Sequence, residues 1–559
     1  MSRTFKLLIC CAIFLSIVTI LTGCQTHGGK ADQLVIGKVW TGNPEKPWAE
    51  GFAVSGDSII AVGTGKELRA YQGEKTQLIT AAAGQLVVPG FIDNHTHFID
   101  GGYMLSSVQL RDARTPAEFI NRIKAFSKTI KPGEWILGGN WDHQNWGGEL
   151  PDRIWIDSVT KDNPVWINRL DGHSCLANSL ALKMAGVDDK VKDMQGGNIV
   201  RKHGRITGIL QDNAIELVKK AIPDPNAEQL GKALEAAMHY VASSGITSIV
   251  GMVGATNNTY FDLYQKYDEE HKLITRIYAA QALREWNQLA ARVQQKGSGN
   301  KWFKTGGLKG FMDGSLGAHT AAFIKPFTDA PMDSGLMVEN PDVVYRYVKA
   351  ADSAGLQIFV HAIGDRSIHT LLDIFERVEK ENGPRDRRFR MEHAQHIDPA
   401  DFPRFAQLNV VPSMQPYHAI DDGRWAEKFI GHDRAVNTYA FRSLLDAKAK
   451  LAFGSDWFVA PASPIFGIYA AVTRRTINGM NPEGWIPQQK ITVEEAMRAY
   501  TLDAAYAIFE EKKRGSIEAG KLADFVILEK DITTIQPAEI ENVQVLRTYV
   551  GGKLVFQHE

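Results

Sequence analysis

The hydrophobic pattern divides this chain into three regions. From 34 to 88, short apolar runs alternate with turn residues: Leu34-Val35-Ile36, Gly51-Phe52-Ala53-Val54, Ser58-Ile59-Ile60-Ala61-Val62 and Gln77-Leu78-Ile79. Gly56-Asp57 stands where a hairpin turn is wanted. The last fifty residues read alike, with Phe525-Val526-Ile527-Leu528, the run 543–550 and Lys553-Leu554-Val555-Phe556. Neither end has enough strands for a sheet of its own. Together, 33–88 and 509–559 are expected to form one small β-sandwich built from both termini. Between them, over 89–508, apolar runs alternate with helical stretches, the pattern of βα units on a parallel sheet. Nine strand candidates present themselves, at 86–92, 165–169, 246–250, 276–280, 308–312, 357–360, 389–392, 410–414 and 451–454. A (β/α)8 TIM-like barrel takes eight. The stretch 226–244 puts Leu230, Leu234, Ala237, Met238 and Val241 on one helical face and runs directly into Gly245-Ile246-Thr247. That order makes it the helix before strand two. The run at 165–169 is therefore set aside, and residues from about 103 to 225 become a large insertion after strand one.

The chain of 559 residues, 44% of them apolar, has ample material for a large barrel plus a smaller domain. Its net charge of −1 comes without clustered Lys and Arg, which excludes a nucleic-acid surface. At the start, Arg3 and Lys6 precede an apolar stretch from Leu7 to Leu21, too short to span a bilayer comfortably. It ends Leu21-Thr22-Gly23-Cys24, which resembles the lipobox of bacterial lipoproteins. That resemblance implies a signal peptide over 1–23, lipid on Cys24 and a linker over 24–32, hence a lipid-anchored protein of the bacterial cell envelope. Gln25 favours the outer membrane, facing the periplasm, in a Gram-negative host. An uncleaved anchor or a plain secretory signal are the alternatives. Cys10 and Cys11 leave with the signal and Cys24 is taken by lipid, so Cys175 stands alone and no intrachain disulfide is expected.

His95-Thr96-His97 closes the apolar run that begins at Leu86. Side chains two apart on a strand share a face, so the pair aims two imidazoles at one point, as a metal ion requires. Alone it reads equally as two polar loop histidines. Four further candidates occupy related places: Lys309 on the run beginning Gly306-Gly307-Leu308, His361 after 356–360, His393 after Arg390-Met391-Glu392, and Asp456 after 451–455. With the insertion removed they fall on strands one, four, five, six and eight, at the C-terminal mouth where barrel chemistry is assembled. Each has a plainer alternative by itself. A histidine at a strand end can be a satisfied polar residue, an Asp after Ser a helix cap, and a lysine can snorkel.

Around these residues the chain resembles the amidohydrolase superfamily, and within it the branch of metal-dependent hydrolases containing N-substituted formamide deformylase. The matching stretches are 89–97, Asp171-Gly172-His173, Thr207-Gly208, Gly245-Ile246-Thr247-Ser248, Lys309 with Asp313-Gly314-Ser315-Leu316-Gly317, His361-Ala362-Ile363-Gly364-Asp365, Glu392-His393-Ala394-Gln395, Gly454-Ser455-Asp456-Trp457 and 515–524. The resemblance implies one or two divalent metals, zinc foremost, because imidazole and carboxylate ligands suit it. Iron, manganese and nickel are the alternatives. His95, His97 and Asp456 would hold a buried metal and His361 and His393 an outer one, with Lys309 bridging them as a CO2-derived carbamate. With Lys309 unmodified, a mononuclear site is the fallback. The implied reaction is hydrolysis of an amide-type C–N bond of a small molecule by a metal-activated hydroxide, with Asp456 as general base and then general acid.

His173, Asp142 and Trp457 are candidate substrate contacts, with Trp141 and Trp146 as further wall residues; each could equally be structural. His319, His396 and His418 lie near the motifs but not at the first position beyond a strand, and are not expected to be ligands. One departure stands out. Relatives often carry His-Asp where this chain has Val250-Gly251, which puts a formamide substrate in doubt. Ester or lactone hydrolysis and deamination use the same kind of site. A solute-binding lipoprotein is the rival of another class, and a scaffold with decayed activity a third reading. The pattern carries no signal for an oligomeric state.

Overall fold

The computed structural model describes residues 29–559 apart from 170–173, 193, 195–196, 253–257 and 318. The chain starts with five short strands, β1 (Gln33–Trp40), β2 (Trp48–Ser55), β3 (Ser58–Gly63), β4 (Gln77–Thr80) and β5 (Leu86–Pro89). It then enters the barrel as β6 (Phe91–Thr96). The sequence pattern predicts one strand across 86–92; the structure breaks it at Gly90. Pro89 has no N–H to continue a ladder. A Cβ on Gly90 would lie 2.3 Å from the Thr247 Oγ1, so only glycine lets the chain cross this tightly from one sheet to the other. His95 consequently sits inside β6 rather than beyond it, and His97 is the first residue past the strand.

The helix Phe98–Leu105 follows at once and packs on the helix Ala227–Ser243, where Gly102 allows backbone contact: a Cβ there would lie 1.9 Å from the Ala233 carbonyl. Between these two helices the chain builds a separate six-stranded sheet from β7 (Val108–Gln109), β8 (Gly138–Trp141), β9 (Trp166–Arg169), β10 (Ser174–Ala177), β11 (Gly197–Lys202) and β12 (Arg205–Asp212). Its strand order is β11-β12-β10-β9-β8-β7, and two apolar clusters pack against it, around Trp141 and around Trp166.

The barrel continues with β13 (Ile246–Gly251), β14 (Arg276–Ala282), β15 (Phe303–Phe311), β16 (Gln357–Ala362), β17 (Arg390–His393), β18 (Val411–Met414) and β19 (Ala452–Phe453). All neighbours from β6 through β19 pair parallel, in chain order. β19 is only two residues long, and the ring closes through the parallel bridge between Thr96 and Trp457. Amphipathic helices such as Asp365–Asn382, with Ile368, Leu371, Leu372 and Phe375 buried, cover the outside.

The last strands, β20 (Phe525–Leu528), β21 (Val545–Val550) and β22 (Lys553–Gln557), return to the start of the chain. The order is β22-β21-β20-β5-β1-β2-β3, with β4 branching from β1. The expected β-sandwich is built as one branched sheet that folds over on itself: Phe52 on β2 and Phe525 on β20, three strands apart in that order, meet at 5.1 Å. The reason is β5, which pairs with β1 on one side and β20 on the other, so strands of both termini share a ladder. Phe52, Phe525 and Tyr549 pack on it, the last two stacked at 4.3 Å. A buried bidentate pair, Arg276 with Asp524 at 2.8 Å through both nitrogens, fastens this sheet to barrel strand β14.

Candidate metal centre and active site

The seam of the barrel builds the site. Past β19, Gly454-Ser455-Asp456 runs beside the end of β6, and a Cβ on Gly454 would lie 2.5 Å from the His95 nitrogen. Asp93 on β6 accepts the Ser455 N–H at 2.8 Å, the Ser455 hydroxyl at 2.5 Å and the His95 N–H at 3.2 Å. The Asp456 N–H donates to the His95 carbonyl at 2.7 Å, and the His97 N–H to the Trp457 carbonyl at 2.6 Å. Asp456 and His393 both hold a left-handed backbone, at φ 61° and 72°. Such conformations cost a non-glycine residue roughly 1–3 kcal/mol and persist where the surroundings impose them.

These constraints bring five of the six predicted ligands close together. His95 Nε2 lies 3.4 Å from Asp456 Oδ1 and 3.4 Å from Lys309 Nζ; His97 Nε2 is 3.3 Å from the same Asp456 oxygen. Ligand atoms of His95, His393 and Asp456 lie within 4.8 Å of one another. The rings of His361 and His393 are 4.5 Å apart, which adds the sixth residue to the group. All six line a cleft of about 420 Å³ at the mouth of the barrel.

The hydrogen bonds behind the ligands decide which nitrogen faces inward. His95 Nδ1–H donates to Glu392 Oε2 at 2.6 Å, His393 Nδ1–H to Gln415 Oε1 at 2.8 Å, and His361 Nε2–H to the Gly314 carbonyl at 3.0 Å. Each leaves the opposite nitrogen with its lone pair. Burial, with Lys309 nearby, pulls His95 down to about 4 and His361 to about 3, and burial with His361 nearby pulls His393 well below the usual imidazole range. The rings are therefore neutral imidazoles at neutral pH, the form that can ligate a metal.

Asp456 Oδ1 is buried without a hydrogen-bond partner, facing the His95 lone pair. Two acceptors so placed repel unless a cation lies between them. A tetrahedral zinc with ligands at about 2.0–2.1 Å has ligand–ligand edges of about 3.3–3.4 Å. Those are the spacings found here, so the donor set fits a divalent metal. The other Asp456 oxygen, Oδ2, faces His418 Nε2 at 3.3 Å.

Two buried carboxylates brace the ligands. Glu392 is held at about 2, because Arg390 and the His95 hydrogen bond overcome its burial. Arg390 Nε donates to Glu392 Oε1 at 2.9 Å, and its Nη2 to the Asn94 carbonyl at 2.5 Å. Asp313 accepts the N–H groups of Ala322, Ile363 and Gly364 and the Ser367 hydroxyl, at 2.8–3.0 Å. It thereby fixes the turn that follows His361.

The predicted substrate contacts fare differently. Cys24 and His173 lie outside the described residues. Asp142 is in the inserted sheet region, ion-paired with Arg169 at 3.2 Å, and Trp141 is fully buried with its N–H on the Ile167 carbonyl. Trp146 packs on Phe119. Trp457 does not reach the cleft as expected. Its ring is buried in the barrel wall, stacked on Tyr240 at 4.9 Å, with Gly101 making room beside it. The exposed ring is the next residue, Phe458, 6.2 Å from the His97 ring. From this loop the cleft is lined by Val459 instead. Val250 is fully buried below the site among Ile92, Tyr278 and Phe359, so no ligand depends on it. His319 pairs with Asp329 and His396 with Thr438.

His418, named from the sequence but set aside as a ligand, reaches the site through Asp456. It stands in the helix Pro416–Asp422 after β18, its Nε2 3.3 Å from Asp456 Oδ2. Its position four residues past the strand hid its role, since only residues directly beyond a strand end were expected to reach the site.

A parallel barrel carrying this cluster at its C-terminal mouth has the architecture of a metal-dependent hydrolase. The profile of the amidohydrolase family matches residues 79–556, and the chain belongs to that family, whose members hydrolyse carbon–nitrogen bonds. It is 40% identical to the Arabidopsis thaliana protein LONG AFTER FAR-RED 3, over 94% of this chain and 92% of the relative. It is 27% identical to the N-substituted formamide deformylase of Arthrobacter pascens, over 91% and 95%. A solved structure of an uncharacterized metal-dependent hydrolase from Pyrococcus furiosus superposes with a TM-score of 0.75 at 27% identity, covering 90% of this chain and all of that one.

The Glu392–His95 bond generates a prediction. Glu392→Gln is expected to weaken metal binding about 10–100-fold, because the ligand loses its orienting, basicity-raising partner. Competition against a chromogenic chelator measures this, and wild-type affinity in the variant would refute the bracing role.

Proposed function

We propose that this protein hydrolyses an amide-type C–N bond of a small molecule at a site holding one or two divalent metals, zinc foremost. The observation that carries the reading is the unpartnered Asp456 Oδ1 facing the His95 lone pair at 3.4 Å, an acceptor pair that a metal cation would bridge. His95, His97 and Asp456 form one ligand group, and His361 and His393 a second. Bound metal supplies a water whose pKa falls from about 15.7 toward roughly 7 and a Lewis acid for the carbonyl oxygen. Asp456 is placed to take a proton from the attacking water and return it to the departing amine. The His418 hydrogen bond at 3.3 Å keeps the second Asp456 oxygen oriented.

Lys309 lies at the floor of the cleft, where burial lowers its amine to about 8 against the opposing charges of Glu392 and Asp456. A neutral amine is the form that adds CO2, and the resulting carbamate would replace a cation beside the ligands by an anionic, two-oxygen bridge. The run Leu21-Thr22-Gly23-Cys24 supports processing before Cys24 and lipid on its thiol, which would tether the enzyme to a bacterial envelope membrane. Among the described residues, no helix is long and apolar enough to cross a membrane.

The deciding experiment sets zinc-loaded against chelator-treated protein on N-acyl amines, N-acyl amino acids, formamides and esters. Amides cleaved only by the loaded form are expected; faster ester cleavage would move the reading to an esterase. Asp456→Asn should lower kcat by at least about a hundredfold, the scale of a lost general acid–base, and a variant with near wild-type turnover would remove Asp456 from the mechanism. Growth with carbon-13 bicarbonate should give a carbamate carbonyl resonance that Lys309→Met abolishes; its absence in the active wild type would leave the lysine unmodified. Labelling of cells with an alkyne fatty acid should mark the full-length protein and not its Cys24→Ala variant, and equal labelling of both would end the anchor proposal.

A further inference from the structure

The chemistry of the cleft outside the metal floor is uneven. Asp422 ends the helix Pro416–Asp422 at the barrel mouth and lines the cleft beside Trp425 and Tyr439. Its Oδ2 accepts the Tyr439 hydroxyl at 2.7 Å and the Gln395 amide N–H at 2.9 Å. Both donors are neutral and both go to that one oxygen; no described group donates to Oδ1. His418, the nearby titratable group, is already bonded to Asp456. The adjacent Asp421 has its own counter-ion in Arg424. Among the described residues that line the cleft, the only ammonium or guanidinium is Lys309, down at the floor beside His95. Phe311 and Val459, 41% and 59% exposed, add apolar surface beside these carboxylates.

A substrate entering this cleft meets metal ligands below, apolar surface at the sides, and a carboxylate with an unused oxygen. We propose that Asp422 makes the enzyme select amides that carry an ammonium group on an apolar body and reject those with a free carboxylate. The inference rests on the amide-hydrolase reading and names its substrate class. Asp422 is half-buried and its Oδ1 has no donor among the described residues, so an incoming ammonium can form a charge-assisted hydrogen bond to it. The Trp425 face offers the same cation a second favourable surface. A substrate carboxylate instead meets like charge, and no described residue lining the rim carries a free ammonium or guanidinium to receive it.

Three matched phenylacetyl amides test this: those of ethylenediamine (ammonium), propylamine (neutral) and β-alanine (carboxylate). With zinc-loaded protein, kcat/KM is expected to be about tenfold higher for the ammonium compound than for the neutral one, the size of one charge-assisted contact, and lowest for the carboxylate. In Asp422→Asn the ammonium-to-neutral ratio should fall toward one. Equal or faster cleavage of the carboxylate compound by wild type, or an unchanged ratio in the variant, overturns the inference while leaving amide hydrolysis intact. Calorimetric binding of the same three compounds is measured alongside. If none is cleaved, the reaction reading fails, and the order of affinities still decides for or against the charge preference.

Discussion

Asp93 is the residue on which the site depends most. It sits on the first barrel strand and receives three hydrogen bonds, two from Ser455 at the far end of the domain's sequence and one from His95 two residues on. Burial, against those hydrogen bonds, pushes it up to about 7. Because β19 is only two residues long, ordinary strand pairing cannot hold the last seam of the barrel. Side-chain and backbone bonds around Asp93, His95 and Asp456 take over that task. The same few ångströms that close the barrel thus set the spacing of the ligands, and a closed barrel and an assembled site become one event.

Beneath the seam, charge is arranged to keep imidazoles neutral and oriented. Arg390 and Glu392 are both fully buried, and each satisfies the other before Glu392 turns to His95. A buried ion pair of this kind contributes little net stability, since desolvation offsets attraction. What it provides is a fixed carboxylate that forces the proton of His95 onto Nδ1 and the lone pair into the cleft. Gln415 and the Gly314 carbonyl do the same for His393 and His361 with neutral acceptors. The unsatisfied oxygen of Asp456 is then the remaining imbalance, and a divalent cation is the natural group to correct it.

Specificity belongs to the loops rather than the floor. The helix after β18 brings both His418 and Asp422 to the cleft from one short segment, the first touching the Asp456 carboxylate and the second lining the mouth. A barrel separates these duties easily, because ligands come from strand ends and selectivity from the loops beyond them. Val250-Gly251 fits that division. It replaces polar residues with packing on β13 and leaves the ligand set whole.

Much of this was legible along the chain. Parallel βα order, the strand runs and the positions of the six residues that line the cleft floor follow from apolar runs and the polar residues on or just beyond them, because a barrel repeats one local rule eight times. Three things needed the tertiary structure. The break at Gly90 depends on Thr247, more than 150 positions away, and no local period registers such an approach. The turning of Trp457 into the barrel wall depends on its stacking with Tyr240 and on room beside Gly101, contacts between segments that hydrophobicity along the chain does not register. His418 and Asp422 gain their meaning from where a helix lands. Sequence determined which groups this protein possesses and their order around the barrel. Only folding decided which atoms face one another, because hydrogen-bond direction and ångström-scale spacing arise between strands, not along them.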